Sequence, residues 1–306
     1  MTHRAVAALA VSLIAFSSGA GAAPLFVPFD FSRSAIGLDV TVKGTPLYMI
    51  LDTGVDPSGI DSKRAAALGL PVDRGAGGEA TGEGDAKQAQ IYPATIAGLA
   101  IGGRDFGSVD AAAMDMSVLS AHYGRPLDGV LGYSFLTDRI VLIDYAAAKL
   151  GILDRPADAW PSVSTCRARF TIPLRSFEGD SIPVVPAFHF GSASAPITLD
   201  TGSNGGIALY QGALDLPGLR AKLTERGDVA SAGARGETKS KSYVLNAPVG
   251  FGPFTLPAGE VVTVRNVAGS PDTRLANIGN KIFAAMKLKM LLDYRARLIT
   301  FYGQCR

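Results

Sequence analysis

The triplet Asp-Thr-Gly occurs twice in this chain, as Asp52-Thr53-Gly54 and as Asp200-Thr201-Gly202, 148 residues apart. An apolar run leads into each copy: Leu47-Tyr48-Met49-Ile50-Leu51 before the first, Ile197-Thr198-Leu199 before the second. Two carboxylates delivered by the ends of two strands suit acid–base hydrolysis of a peptide bond. Like charges a few ångströms apart repel, so one carboxyl stays protonated while the other is charged, and the titration belongs to the pair. The charged member can take a proton from water while the protonated member polarises a carbonyl. Glycine after Asp-Thr lets the backbone turn sharply and approach its mate. Threonine can hydrogen-bond across the two copies.

The elements that must position such a pair repeat as well. Gly129-Val130-Leu131-Gly132 follows the first triplet and Ala276-Asn277-Ile278-Gly279 the second, their final glycines 147 residues apart. Leu142-Ile143-Asp144-Tyr145 and Leu291-Leu292-Asp293-Tyr294 come next, offset by 149. Three landmarks in the same order indicate an internal duplication. Strand signals dominate: Ala35–Val42 alternates, Gly44-Thr45-Pro46 turns the chain back, and Thr95–Gly103 reads as strand and turn. Helix signals are short. Asp61–Gly69 has an N-cap aspartate and a closing glycine, and Lys281–Met290 looks similar. Proline-bearing Asp154–Ser162 marks a boundary, with Trp160 packing the linker against a lobe. The expected division is a leader over 1–22, one lobe over 23–158 and a second over 159–306.

This constellation resembles the aspartic proteases, the pepsin and retropepsin superfamily, over most of the chain after the leader. The resemblance is closest to a tandem of two retropepsin-like domains in one exported chain of bacterial type. It implies a mostly β, bilobal acid-protease-like fold, with two homologous β-barrel-like lobes, short helices and the active site between them. Asp52 and Asp200 would be the catalytic dyad of an endopeptidase working without a covalent intermediate. Thr53 and Thr201 would brace the lobes, and Gly54, Gly202 and Ser203 would shape the loops. Val130-Leu131-Gly132 matches the family's strand beneath the triplet, while in Asn277-Ile278-Gly279 an asparagine replaces an apolar residue. The glycine-rich segments 79–85 and 230–236 fall where flaps belong, with Thr81, Gly82, Gly84, Ala232 and Gly233 as flap residues; neither has a flap tyrosine. After the triplets stand Val55 and Ser203. A hydroxyl there hydrogen-bonds the aspartate in the family, so a less acidic optimum is expected than with hydroxyls in both places. The alternative is an exported peptide- or partner-binding protein with this fold and little or no catalysis.

Met1-Thr2-His3-Arg4, an apolar stretch from Ala5 to Phe16 and Ala20-Gly21-Ala22 read as a secretory signal peptide cleaved near Ala22, with an uncleaved anchor as the rival reading. A secreted or periplasmic location follows, with no membrane insertion after cleavage. The short stretch between Ala22 and Asp52 leaves no room for a pepsin-type inhibitory prosegment. Net charge is +2, from 29 basic and 27 acidic residues, which provides no footprint for nucleic acid. The two cysteines, Cys166 and Cys305, read as one disulfide in an oxidising compartment. Beyond the leader only His122 and His189 remain, so no metal site is expected, and no cofactor is called for. Gly75–Ala80 follows no strand, Arg226-Gly227-Asp228 reads as a solvated turn, and Asp144 and Asp293 look structural. The expected partner is a peptide or protein substrate, and two triplets in one chain make a monomer sufficient.

Overall fold

The computed structural model describes residues 23–85, 89–176, 181–265 and 275–306, and the leader at 1–22 lies outside them. In the first half, Gly37–Val42 and Thr45–Leu51 form a hairpin, turned by Lys43 and Gly44 with φ of 49° and 77°. The turn is therefore one residue pair earlier than expected, and Thr45 and Pro46 already belong to the return strand. Around the barrel follow Gly129–Leu131, Ser58–Asp61, Arg104–Met114 and Gln90–Ile101, and the last pairs back onto Gly37–Val42. Six strands close on themselves, which leaves no open edge within the ring.

The second half repeats this neighbour order with Val184–Phe190, Ala193–Leu199, Ala276–Ile278, Ile207–Tyr210, Glu260–Arg265 and Gly236–Leu245. The first half uses one long strand, Gln90–Ile101, to return to the start. The second uses two, Gly236–Leu245 and Val249–Phe251, interrupted at Asn246-Ala247-Pro248. Pro248 has no N–H to offer a ladder at the interruption.

A six-stranded sheet joins the halves, three strands from each: Leu25–Pro28, Lys149–Leu153 and Ile140–Asp144, then Lys289–Asp293, Leu298–Gly303 and Ala168–Pro173. At its centre Leu142 faces Leu291, its own counterpart in the repeat. A residue can meet its counterpart only near the axis that relates the two copies, so that pair marks an approximate twofold. The buried core runs without interruption from one half to the other, with Tyr145 and Phe301 both against Phe283. Cys166 and Cys305 are bonded, fastening the C-terminus to the residues just before Ala168–Pro173.

Local expectations fare unevenly. Asp61 caps the helix Ser62–Ala67 by accepting from the N–H groups of Lys63 and Arg64. Asp144 and Asp293 accept from Ala147 and Ala296 N–H and so close two hairpins, a structural role. The second helix stops at Ala285, five residues short, because Lys287 is left-handed (φ 52°) and Lys289–Asp293 is a strand. Trp160 is 67% exposed and packs the linker against nothing substantial. Arg226-Gly227-Asp228 is a bulge inside the strand Leu223–Gly233, not a turn. No helix among the described residues is long and apolar enough to cross a membrane.

Candidate active site

Each triplet sits where a strand leaves its sheet. Thr45–Leu51 runs parallel to Gly129–Leu131, and Asp52 N–H donates to Leu131 O at 2.9 Å. Ala193–Leu199 runs parallel to Ala276–Ile278, and Asp200 N–H donates to Ile278 O at 3.0 Å. The glycine-ended segments thus underlie the triplets, as the resemblance implied. The two loops then grip each other. The Thr53 hydroxyl donates to Leu199 O (2.9 Å) and accepts from Thr201 N–H (3.0 Å), while the Thr201 hydroxyl donates to Leu51 O (3.0 Å) and accepts from Thr53 N–H (3.0 Å). Both threonines are buried, so all four bonds are shielded from competing water.

The grip brings the Asp52 and Asp200 carboxyls close enough to act on each other's charge, each still partly open to solvent. Any side chain at Gly54 would put its Cβ 2.8 Å from Asp200 Cγ, and one at Gly202 would overlap Asp52 Oδ2. Glycine is what permits that approach. Burial, followed by the charge of Asp200, pushes the Asp52 carboxyl well above the ordinary aspartate range, although Gly54 and Gly202 N–H groups pull it back.

Asp200 is held more completely. Its Oδ1 accepts from Gly202 N–H (2.9 Å) and Ser203 N–H (3.0 Å), and its Oδ2 accepts from Asn277 Nδ2 (2.7 Å). The Ser203 side chain does not fill the role expected of it. Its hydroxyl accepts from Gly205 N–H at 3.3 Å, and what Ser203 offers Asp200 is backbone. Asn277, an imperfect match to the apolar strand pattern in the sequence, is the side chain that reaches the carboxylate. Asn280 was also missed: its Nδ2 donates to Thr201 O (2.6 Å) and Ser203 O (3.0 Å), and its Oδ1 accepts from Tyr145 (2.8 Å). The signal for both lay in comparing the repeats, where Val130 and Tyr133 occupy the matching positions.

The two glycine-rich segments meet tip to tip. Arg235 N–H donates to Glu83 O (2.8 Å), Asp85 N–H to Glu237 O (3.0 Å), and the Ser231 hydroxyl to Glu83 Oε1 (2.6 Å). Glu83 Oε2 also pairs with Arg265 at 2.6 Å. Gly84 and Gly233 lie in this contact, where a Cβ on Gly233 would stand 2.6 Å from that of Glu83. Thr81 and Gly82 lie in the loop leading to it, and Ala232 in the strand Leu223–Gly233. This contact joins the first half of the chain to the second, as the grip of the threonines does. Glu83 is close enough to Asp200 to feel its charge, and burial lifts the Glu83 carboxyl despite Arg265.

Residues 38–135, about a third of the chain, match the model of a family described as aspartyl protease. The match contains the first triplet and Gly129–Gly132 beneath it. No curated protein matches the chain.

Proposed function

We propose, from the premise that residues 38–135 belong to the aspartic-protease superfamily, that the whole chain is an exported aspartic endopeptidase built from two retropepsin-like lobes, 23–158 and 159–306. The observation that carries this reading is the approach of each aspartate to the other's loop, Asp200 to Gly54 and Asp52 to Gly202, across reciprocally bonded threonines. A water between the carboxyls attacks the scissile carbonyl carbon, giving its proton to the charged carboxylate, while the protonated carboxyl gives its own to the carbonyl oxygen. Collapse of the tetrahedral intermediate then breaks the C–N bond: the leaving amine takes the proton that water gave up, and a hydroxyl of the intermediate returns one to the other carboxylate. No covalent enzyme intermediate is needed.

The peptide lies extended beneath the segments 79–85 and 230–236, which act as flaps and must part to admit it. Leader pattern and disulfide support export, and two triplets in one chain support action as a monomer. One observation favours a second reading, a peptide-binding protein with little catalysis: the flap tips are already bonded to each other. Cleavage of an unfolded protein from about pH 3 to 7 decides between them. Cleavage abolished in Asp52→Asn and in Asp200→Asn supports the peptidase. Retained peptide binding without cleavage in the unaltered protein overturns it.

A further inference from the structure

The strand positions behind the two aspartates are equivalent in register but not in chemistry. In the first half Ile50 pairs with Val130; in the second Thr198 pairs with Asn277. Thr198 and Asn277 are buried, and the Thr198 hydroxyl stands 2.9 Å from Asn277 Oδ1 and 3.1 Å from Ala276 O. A hydroxyl proton directed at Asn277 Oδ1 turns the amide so that its NH2 faces Asp200 Oδ2. An amide nitrogen can only donate, so that oxygen must offer a lone pair. Together with the N–H groups of Gly202 and Ser203, three donors converge on Asp200. Val130 and Ile50 can supply nothing comparable to Asp52.

We propose that Asn277, oriented by Thr198, is a positioning residue that fixes the negative charge of the pair on Asp200. Asp200 is then the base toward water and Asp52 the acid toward the carbonyl. That consequence rests on the hydrolytic reading; the location of the charge does not. Donation to the charged form stabilises it, and charge-assisted bonds of this length are the strong ones. The other titratable groups facing the pair are Glu83 from the first flap, with Arg265 and His122 beside it, and Tyr294 toward Asp52. None of them replaces Asn277 on Asp200 Oδ2 among the described contacts.

The test reads protonation directly, so it works whether or not the protein cleaves anything. Aspartate labelled with 13C at the carboxyl carbon is titrated by NMR in the unaltered protein, with Asp52→Asn and Asp200→Asn assigning the two signals. The first ionisation is expected at the Asp200 carbon. Asn277→Val moves it up by about one pH unit, a tenfold change. Thr198→Val, which keeps the amide but frees it to turn, moves it the same way by less. Thr198→Ile/Asn277→Val reproduces the apolar pair of the first half and guards against a fold defect in the single variant. If the protein cleaves, the acid limb of kcat/KM shifts equally and kcat falls about tenfold with KM unchanged. A first ionisation at Asp52, or an Asn277→Val curve that stays put or moves down, overturns the proposal. A downward shift would mean that the amide is reversed and accepts a proton from Asp200.

Discussion

Behind the first triplet lie Ile50 and Val130; behind the second, in the same register, lie Thr198 and Asn277. Under the first loop Tyr133 N–H bonds Val55 O; under the second Asn280 makes the matching bond to Ser203 O and adds two more through its side chain. The backbone scheme is thus common to both halves, while the polar side chains collect around one of them. Duplication fixes where the two carboxyls stand. Divergence of a few buried residues then makes them unequal, which a reaction needing one acid and one base requires.

The largest effects test what the halves share. Asp52→Asn and Asp200→Asn each lower kcat by about a thousandfold, because either loss removes one proton-transfer partner. Each amide is isosteric with the carboxyl it replaces, so circular dichroism remains that of the unaltered protein. Substantial activity in one variant only would break the idea that both copies act.

Next comes a feature present in one half alone. The disulfide joins residues 139 apart in sequence and secures the edge strand Ala168–Pro173, whereas its counterpart Leu25–Pro28 has no covalent tie and is held by its ladder and by Val27 in the core. Cys166→Ser/Cys305→Ser is expected to cost about 3–4 kcal/mol in thermal unfolding. Hydrogen exchange should quicken in Ala168–Pro173 and not in Leu25–Pro28; equal quickening in both would mean that the joined sheet opens as one unit.

The grip returns to symmetry. Thr53→Val strands Leu199 O and Thr201 N–H, and Thr201→Val strands Leu51 O and Thr53 N–H. Both should lose about 2–3 kcal/mol, since each leaves buried polar groups without partners. Unequal losses in urea unfolding would show that one loop relaxes around the change more easily than the other.

How much of this was legible depends on distance along the chain. Triplets, glycine-ended strands and hairpin aspartates are short local patterns, and their offsets of 147 to 149 exposed the duplication without any structure. The contact from Asn277 to Asp200 spans 77 residues and exists only because parallel pairing aligns Thr198 with Asn277. Yet the two apolar-to-polar changes, Ile50 to Thr198 and Val130 to Asn277, were readable once the repeats were aligned. The end of the second helix was not. Residues 286–290 are good helix formers by composition, and what stops the helix is the left-handed turn at Lys287 that brings Leu288 and Met290 into the core.

The smallest effect concerns the tips of the two glycine-rich segments, where Glu83 of one touches Ser231 of the other and only Glu83 titrates. Burial outweighs Arg265 and holds the Glu83 carboxyl above its ordinary value of 4.5. The folded protein therefore binds this proton more tightly than the unfolded chain does. Its contribution to stability is fully present below that ordinary value and is lost as pH rises through the folded one. Melting temperature should accordingly fall slightly on that rise, and Glu83→Gln should flatten this part of the curve. Ser231→Ala should steepen the fall, because the Ser231 hydroxyl donates to the Glu83 carboxylate and without it the carboxyl rises further. A slope that survives Glu83→Gln would assign the pH dependence to the dyad, where Asp52 is raised by the same burial and obeys the same sign. Measuring both variants in the Asp52→Asn background removes the Asp52 contribution, so a slope that Glu83→Gln still flattens there belongs to the tip.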